Sequence, residues 1–141
     1  EDIFVIFFFN ALACVIFGYL FSLLGETHGP EIWAAKMESN LAMVFYKAIA
    51  VGFLMQIAAT CKHDFVTIGV VMLFIGIAGE HSIANIAYMS IAGAISLKGF
   101  LYVIYTAIGN AIGGVIIYLL NSEGKKKVKS NLGARRRRTG H

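Results

Sequence analysis

Charged side chains are scarce in this chain: Asp, Glu, Lys and Arg together make up 14% of its 141 residues, and proline occurs once. Soluble globular domains carry about 25% charged residues. Hydrophobic residues instead reach 58%, and the mean hydropathy is +0.74. So small a soluble domain could not shield this much apolar surface from water. We therefore expect a membrane protein whose main surroundings are the lipid bilayer.

Cysteine is also rare. Cys14 lies within an apolar run and Cys61 ends another, with no CxxC spacing. This pattern argues against a disulfide framework or a thiolate metal site, so we expect two reduced, space-filling thiols. The chain has no His-Glu-x-x-His motif, and no His, Cys or Asp stands three or four residues after His81. We therefore expect no enzyme activity, no metal and no cofactor.

Basic residues are nearly absent from most of the chain and concentrate at its end. Eight of the twelve Lys and Arg residues lie in the segment 125–138, whereas the residues before it hold four basic and eight acidic side chains. A basic run can bind nucleic acid, but one that directly follows an apolar span is typical of the cytoplasmic side of a membrane and of contact with anionic lipid. We predict a transmembrane domain at 1–121 and a basic cytoplasmic tail at 122–141, in the inner or plasma membrane and with no nucleic-acid partner.

Long apolar runs predict an all-α, polytopic membrane protein, since about 20 apolar residues suffice to cross a bilayer. We predict four membrane segments at 3–24, 41–60, 65–97 and 100–120, linked by a polar loop at 25–40 and by turns at 61–64 and 98–99. The third segment is too long for one ordinary span, and we expect it to form two half-helices, 65–77 and 82–97. With the basic tail inside, the 61–64 turn is also inside and the 25–40 loop is outside.

A polar break interrupts the third segment. Gly76 and Gly79 are expected to loosen the helix, and Glu80 and His81 follow at once, with Asn85 one turn further on. Unwound polar backbone at membrane depth is tolerated only where it is buried in protein or lines a water-filled path. Ionisable residues are costly there and usually serve function. The break is therefore the candidate site.

Two motifs resemble the formate/nitrite transporter family. The run Gly79-Glu-His-Ser-Ile-Ala-Asn85 is similar to the Gly-Phe-Glu-His-Ser-x-Ala-Asn motif of that family's broken fifth helix, and Ile108-Gly-Asn-Ala-Ile-Gly-Gly114 resembles the Gly-Asn-x-x-Gly-Gly of its sixth. Asn10 and the run Ala34-Ala-Lys36 resemble, more loosely, the third helix and the segment before the fourth. The resemblance implies helices three to six of an aquaporin-like channel protomer that forms pentamers, with helices one and two missing. The 141 residues alone are then expected not to conduct.

The resemblance also implies roles by position. His81 corresponds to the central pore histidine, Asn110 to the polar residue facing it, and Lys36 to a vestibule lysine that attracts anions. Phe74, seven residues before His81, matches an aromatic of the hydrophobic constriction. The implied function is passage of small monovalent anions of weak acids, such as formate, nitrite or hydrosulfide, with a proton gained near His81 so that the neutral acid crosses.

The chain departs from the family pattern at two positions near the candidate site. Gly79 stands where the family usually has Phe, and Gln56 where its fourth helix usually has Asn. The pore near His81 is therefore expected to differ in width, and the substrate is not carried over. Glu80 is expected to bond backbone donors at the break, and Asn85 to face the opposing pore wall.

Other interpretations of the same residues stay open. His81 could be a buried packing histidine and Phe74 ordinary apolar packing. The chain could be a non-transporting membrane remnant or assembly module that inherits its broken helix. It could also be a sodium-coupled carrier, for which Ser82 and Ser90 are the available hydroxyl ligands.

Overall fold

The structure is a computed structural model that describes residues 2–25 and 27–139, with backbone alone for residues 3 and 125–139. Every regular element in these ranges is an α-helix, in agreement with the predicted all-α class. The six helices are α1 (Asp2–Leu23), α2 (Gly29–Glu38), α3 (Leu41–Thr60), α4 (Asp64–Gly76), α5 (Ser82–Ile91) and α6 (Leu97–Thr139). The basic side chains of the predicted tail at 122–141 lie outside the described part from residue 125 onward.

Three of these helices are long and apolar enough to cross a membrane: Phe4–Leu23, Leu41–Thr60 and Leu97–Gly124. The predicted third segment is occupied by α4 and α5, which are apolar but only 13 and 10 residues long. Each is too short to cross a bilayer alone. A fourth crossing therefore depends on the two short helices acting together.

The central contact of the fold is the packing of α6 against α3, and small residues make it possible. A Cβ atom added at Gly109 would lie 2.6 Å from the Cβ of Ala48, and one added at Gly113 or Gly52 would overlap the backbone of the facing helix. Such close approach of two backbones is typical of small-xxx-small contacts between membrane helices. Gly109 and Gly113 stand four residues apart and so lie on one face of α6, which is the face that approaches α3.

Around this pair, α5 lies between α1, α2 and α6. Gly18 of α1 allows a close contact with Ser90, whose hydroxyl donates to the Val15 carbonyl at 2.8 Å. On the α2 side, Trp33 packs with Met89 in a buried apolar cluster. The side chain of Asn10 is exposed on α1 and makes no hydrogen bond within the described residues.

The helices differ from the sequence prediction most clearly in three places. The last helix begins at Leu97 and its backbone is helical to Thr139, whereas the predicted span was 100–120. The 25–40 loop contains α2, which has Pro30 in its first turn, where proline fits because those N–H groups have no helical partner. The second half-helix ends at Ile91 instead of residue 97, because Gly93 adopts φ 59° and closes a C-terminal cap in which the Ala94 N–H donates to the Met89 carbonyl at 3.1 Å. Lys98 consequently lies inside α6 and not in a turn.

Candidate functional site

The break begins with a cap that the sequence did not reveal. The Ala78 N–H donates to the Ile75 carbonyl at 3.0 Å and the Gly79 N–H to the Phe74 carbonyl at 3.1 Å, which is the Schellman pattern. The left-handed position of this motif belongs to Ala78, with φ 47°, and not to either of the glycines expected to loosen the helix. Gly79 is required for space, because a Cβ there would lie 2.7 Å from the Phe74 ring.

At the end of the break, where α5 begins, Asn110 of α6 holds the backbone. Its side-chain oxygen accepts from the Ser82 backbone N–H at 3.0 Å and so caps the first turn of α5. Its amide nitrogen donates to the Glu80 carbonyl at 2.9 Å and to the Ala48 carbonyl at 2.8 Å. Both amide N–H groups and the oxygen are thus engaged with backbone. Asn110 ties α3, α6 and the break together.

Glu80 forms a buried ion pair with Lys36 of α2. Its Oε1 is 2.9 Å from Lys36 Nζ, and the two side chains are 5% and 12% exposed. Its Oε2 accepts from Asn85 Nδ2 at 3.0 Å. The carboxylate therefore bonds side chains and not the backbone donors that the sequence suggested. Lys36, expected as a vestibule lysine, carries a counter-ion because α2 packs back against α5.

Asn85 is fully buried and extends the cluster toward α6. Its Nδ2 also lies 3.3 Å from Thr106 Oγ1, and Thr106 donates to the Tyr102 carbonyl at 2.8 Å. The Asn85 side-chain oxygen and the Tyr102 hydroxyl are buried without a hydrogen-bond partner. Sequence reasoning missed Tyr102 and Thr106, although Tyr102, Thr106 and Asn110 follow one another at intervals of four residues and so mark one polar face of α6.

His81 lies on the opposite side of the backbone from this cluster. Its φ of −117° and ψ of 126° are extended, and successive side chains of extended backbone point in opposite directions. The ring is partly buried and meets Phe74 edge to face, with 5.9 Å between ring centroids. It makes no hydrogen bond to any residue in the described ranges. The pairing of His81 with Phe74 places an aromatic ring beside the candidate pore histidine.

Gln56 is the predicted site residue that stays apart from the others. Its side chain faces Gly114, one turn beyond Asn110 on α6, and its amide makes no hydrogen bond in the described part. In the same part, no three His, Cys, Asp or Glu side chains lie close enough to hold a metal ion. The site therefore has two parts. One is a buried polar cluster made of Lys36, Glu80, Asn85, Thr106 and Tyr102. The other is the His81–Phe74 pair.

Comparison with protein-family models, with curated proteins and with solved structures found no match in any of the three. A function must use three features of this site. They are the His81 imidazole, which has no hydrogen-bond partner in the described residues, the buried Lys36–Glu80 ion pair, and the break between two apolar half-helices.

Proposed function

We propose that the protein forms a membrane channel or transporter for small monovalent anions of weak acids, such as formate, nitrite or hydrosulfide, with proton-linked passage at His81. The observation that carries the proposal is the broken α4–α5 segment with an unpaired imidazole at its centre. We further propose that α4 and α5 together make the fourth crossing of an aquaporin-like protomer, and that protomers assemble as a homo-oligomer, by resemblance a pentamer.

The mechanism follows from the cost of moving charge through apolar surroundings. A bare anion loses its hydration beside Phe74 and the apolar residues of α4, and this loss is prohibitive without compensation. A proton on the anion removes the penalty. An imidazole, with an ordinary pKa of about 6.5, is the side chain that exchanges protons most readily near neutral pH. The ring nitrogens of His81, which no neighbouring group in the described residues occupies, support this role.

The test is flux through proteoliposomes. The protein is purified from its native membrane as the assembly it forms there, and uptake of formate, nitrite, hydrosulfide, lactate and acetate is followed from about pH 5 to 8, which spans the imidazole reference value. His81→Asn is expected to preserve assembly but to change the pH profile and the balance between acid and anion passage. His81→Phe is expected to add a steric block.

The matched control is His28→Asn, because His28 lies on the surface with its side chain 90% exposed. It should keep the parent rate and pH profile. If His81→Asn also keeps both, His81 is a packing residue and proton-linked passage at this position is wrong. Absence of flux for all five solutes in the parent protein would contradict the transport proposal itself.

A second candidate is a non-transporting assembly module, which the exposed faces of α1 and α4 favour. In the part of α1 that could span a membrane, 6% of the residues are buried, and α4 has no buried residue. Such surfaces suit a protein whose role is to pack against other membrane helices. This candidate gains if the parent protein copurifies with partner chains yet shows no flux. A sodium carrier is less favoured, since the Ser90 hydroxyl is committed to the Val15 carbonyl.

A further inference from the structure

The ion pair of Lys36 and Glu80 carries an inference that rests on the proposed function. We propose that Glu80 is a proton-accepting group of the site, and that a proton on Glu80 frees Lys36 to hold the substrate anion. Anion and proton then enter the site together, one of each. This assigns to Glu80 a role that is separate from the role proposed for His81.

The charges around Lys36 limit what this cluster can bind. Lys36 Nζ is 2.9 Å from Glu80 Oε1 and 5.8 Å from the ring centroid of Tyr88, and no other acidic side chain in the described residues pairs with it. The pair is neutral as it stands, so Lys36 exerts little attraction on a distant anion. A substrate anion added beside it would leave one uncompensated negative charge in a nearly buried cluster, which is strongly unfavourable. Neutralising Glu80 restores the balance, because the anion takes the place of the carboxylate.

The reaction balances in simple steps. A proton from the aqueous solution adds to a Glu80 carboxylate oxygen, the Lys36–Glu80 ion pair is lost, and the anion forms a new ion pair with Lys36. No covalent bond other than the new O–H is made or broken, and nothing is oxidised or reduced. Release reverses both events, so that one proton and one anion leave the site together.

Asn85 can pair with either form of Glu80. In the structure its Nδ2 donates to the carboxylate at 3.0 Å, while its side-chain oxygen is buried without a partner. Rotation of the amide by half a turn places that oxygen where the O–H of a protonated Glu80 can donate to it. The Thr106 hydroxyl can donate to the same oxygen when it gives up its hydrogen bond to the Tyr102 carbonyl. The unpartnered hydroxyl of Tyr102 adds a further donor and acceptor in this cluster. The partners of Glu80 therefore accommodate both protonation states.

The groups that face Glu80 are few. Lys36 comes from α2 and Asn85 from α5, and Thr106 and Tyr102 of α6 adjoin Asn85. His81, the next residue in the chain, contacts the Phe74 ring. No side chain of α1, α3 or α4 in the described residues forms a hydrogen bond or ion pair with the Glu80 carboxylate. Lys36 is the more exposed member of the pair, at 12% against 5%. The anion is therefore expected to arrive from the α2 side.

The experiment measures proton uptake when an anion binds. Formate is added to the purified, detergent-solubilised protein in weakly buffered solution, and formate binding and pH change are recorded together from about pH 5 to 8. The parent is expected to take up one proton per formate. Its affinity for formate should fall about tenfold per pH unit above the pH at which proton uptake is half complete. Glu80→Gln, which mimics the protonated acid, should bind formate with no proton uptake and little pH dependence. Lys36→Met should abolish binding in both backgrounds.

A matched control separates the outcomes. Glu38→Gln alters an exposed acid of the same helix α2 and should retain the parent stoichiometry. Unchanged proton uptake and pH slope in Glu80→Gln would overturn this inference while leaving flux in the parent intact. Absence of flux in the parent would instead remove the proposed function.

A measurement on the parent protein covers the case in which Glu80→Gln fails to fold. Infrared difference spectra on formate addition should show a new protonated-carboxyl C=O band, at the expense of a carboxylate band. Glu80→Asp, which keeps a carboxyl group, should show the same band. If formate binds to the parent with no such band, Glu80 does not take up the proton and the inference is wrong.

Discussion

The two halves of the broken segment are held in the fold very differently. Helix α4 has no buried residue and packs mainly against α3. Helix α5 is shorter but buries five residues, among them Ser82 and Asn85, and contacts α1, α2 and α6. Both halves are apolar and adjacent in sequence, so composition alone does not separate them.

This difference shows that contacts at the start of α5, and not at the end of α4, hold the break in its place in the fold. The cap at the end of α4 is made within its own chain segment, by the N–H groups of Ala78 and Gly79. The start of α5 is held by groups that come from elsewhere: Asn110 of α6 caps Ser82, and Lys36 of α2 pairs with Glu80. Changes on the α5 side are therefore expected to cost more stability than comparable changes on the α4 side.

The largest effect is expected for Lys36→Met. Removing the ammonium leaves Glu80 as an unpaired buried carboxylate, and breaking one partner of a buried pair costs about 3–5 kcal/mol of unfolding free energy. Unfolding by denaturing detergent in mixed micelles measures the loss. Lys98→Met, at an exposed lysine, is the matched control. The double variant Lys36→Met/Glu80→Gln should recover most of the loss, and a failure to recover any would show that Lys36 acts through packing and not through charge.

A smaller loss is expected for Asn110→Ala. The change removes the cap on Ser82 and leaves the Glu80 carbonyl without its side-chain donor, which together cost about 2 kcal/mol. The same unfolding measurement applies, with Asn121→Ala at an exposed position of α6 as the control. Equal stabilities of the two variants would mean that Asn110 does not hold the break.

Alanine substitutions at Gly18 and Gly69 compare the packing around α5 with the packing around α4. A Cβ at Gly18 would lie 2.7 Å from the Ser90 Cβ, so Gly18→Ala should lose about 1–3 kcal/mol by overpacking the α1–α5 contact. Gly69 of α4 has open space around it, and Gly69→Ala should gain up to about 1 kcal/mol through helix propensity. Thermal unfolding of both variants side by side tests the sign of each change. A loss at Gly69 similar to that at Gly18 would break the contrast between the two halves.

The smallest effects are expected at the caps that end α4 and α5. Both have the Schellman pattern, but the left-handed position is Ala78 in one and Gly93 in the other. Ala78→Gly should therefore stabilise the protein by about 1 kcal/mol, and Gly93→Ala should destabilise it by about the same amount. Thermal unfolding of the two single variants measures both signs. If Ala78→Gly destabilises the protein, the end of α4 does not have the left-handed cap.

Much of this architecture was predictable because the signals are local. The apolar lengths of α1, α3 and α6 predict membrane helices. The spacing of Gly109 and Gly113 predicts a close helix contact, which the structure confirms against α3. The polar interruption before Asn85 predicts a break. The end of α5 at Ile91 was missed, since Gly93 is a single cap residue within an otherwise apolar run.

The sequence by itself determined that the chain is apolar, helical and interrupted near Glu80 and His81, because hydropathy, helix length and small-residue spacing act along one stretch of chain. Only the tertiary structure decided which groups pair there. Lys36 reaches Glu80 because α2 packs against α5, and Asn110 caps Ser82 from a helix 28 residues away in sequence. The physical reason is that a buried polar group bonds whichever donor or acceptor the packing brings within about 3 Å, and that neighbour is set by contacts distant in sequence.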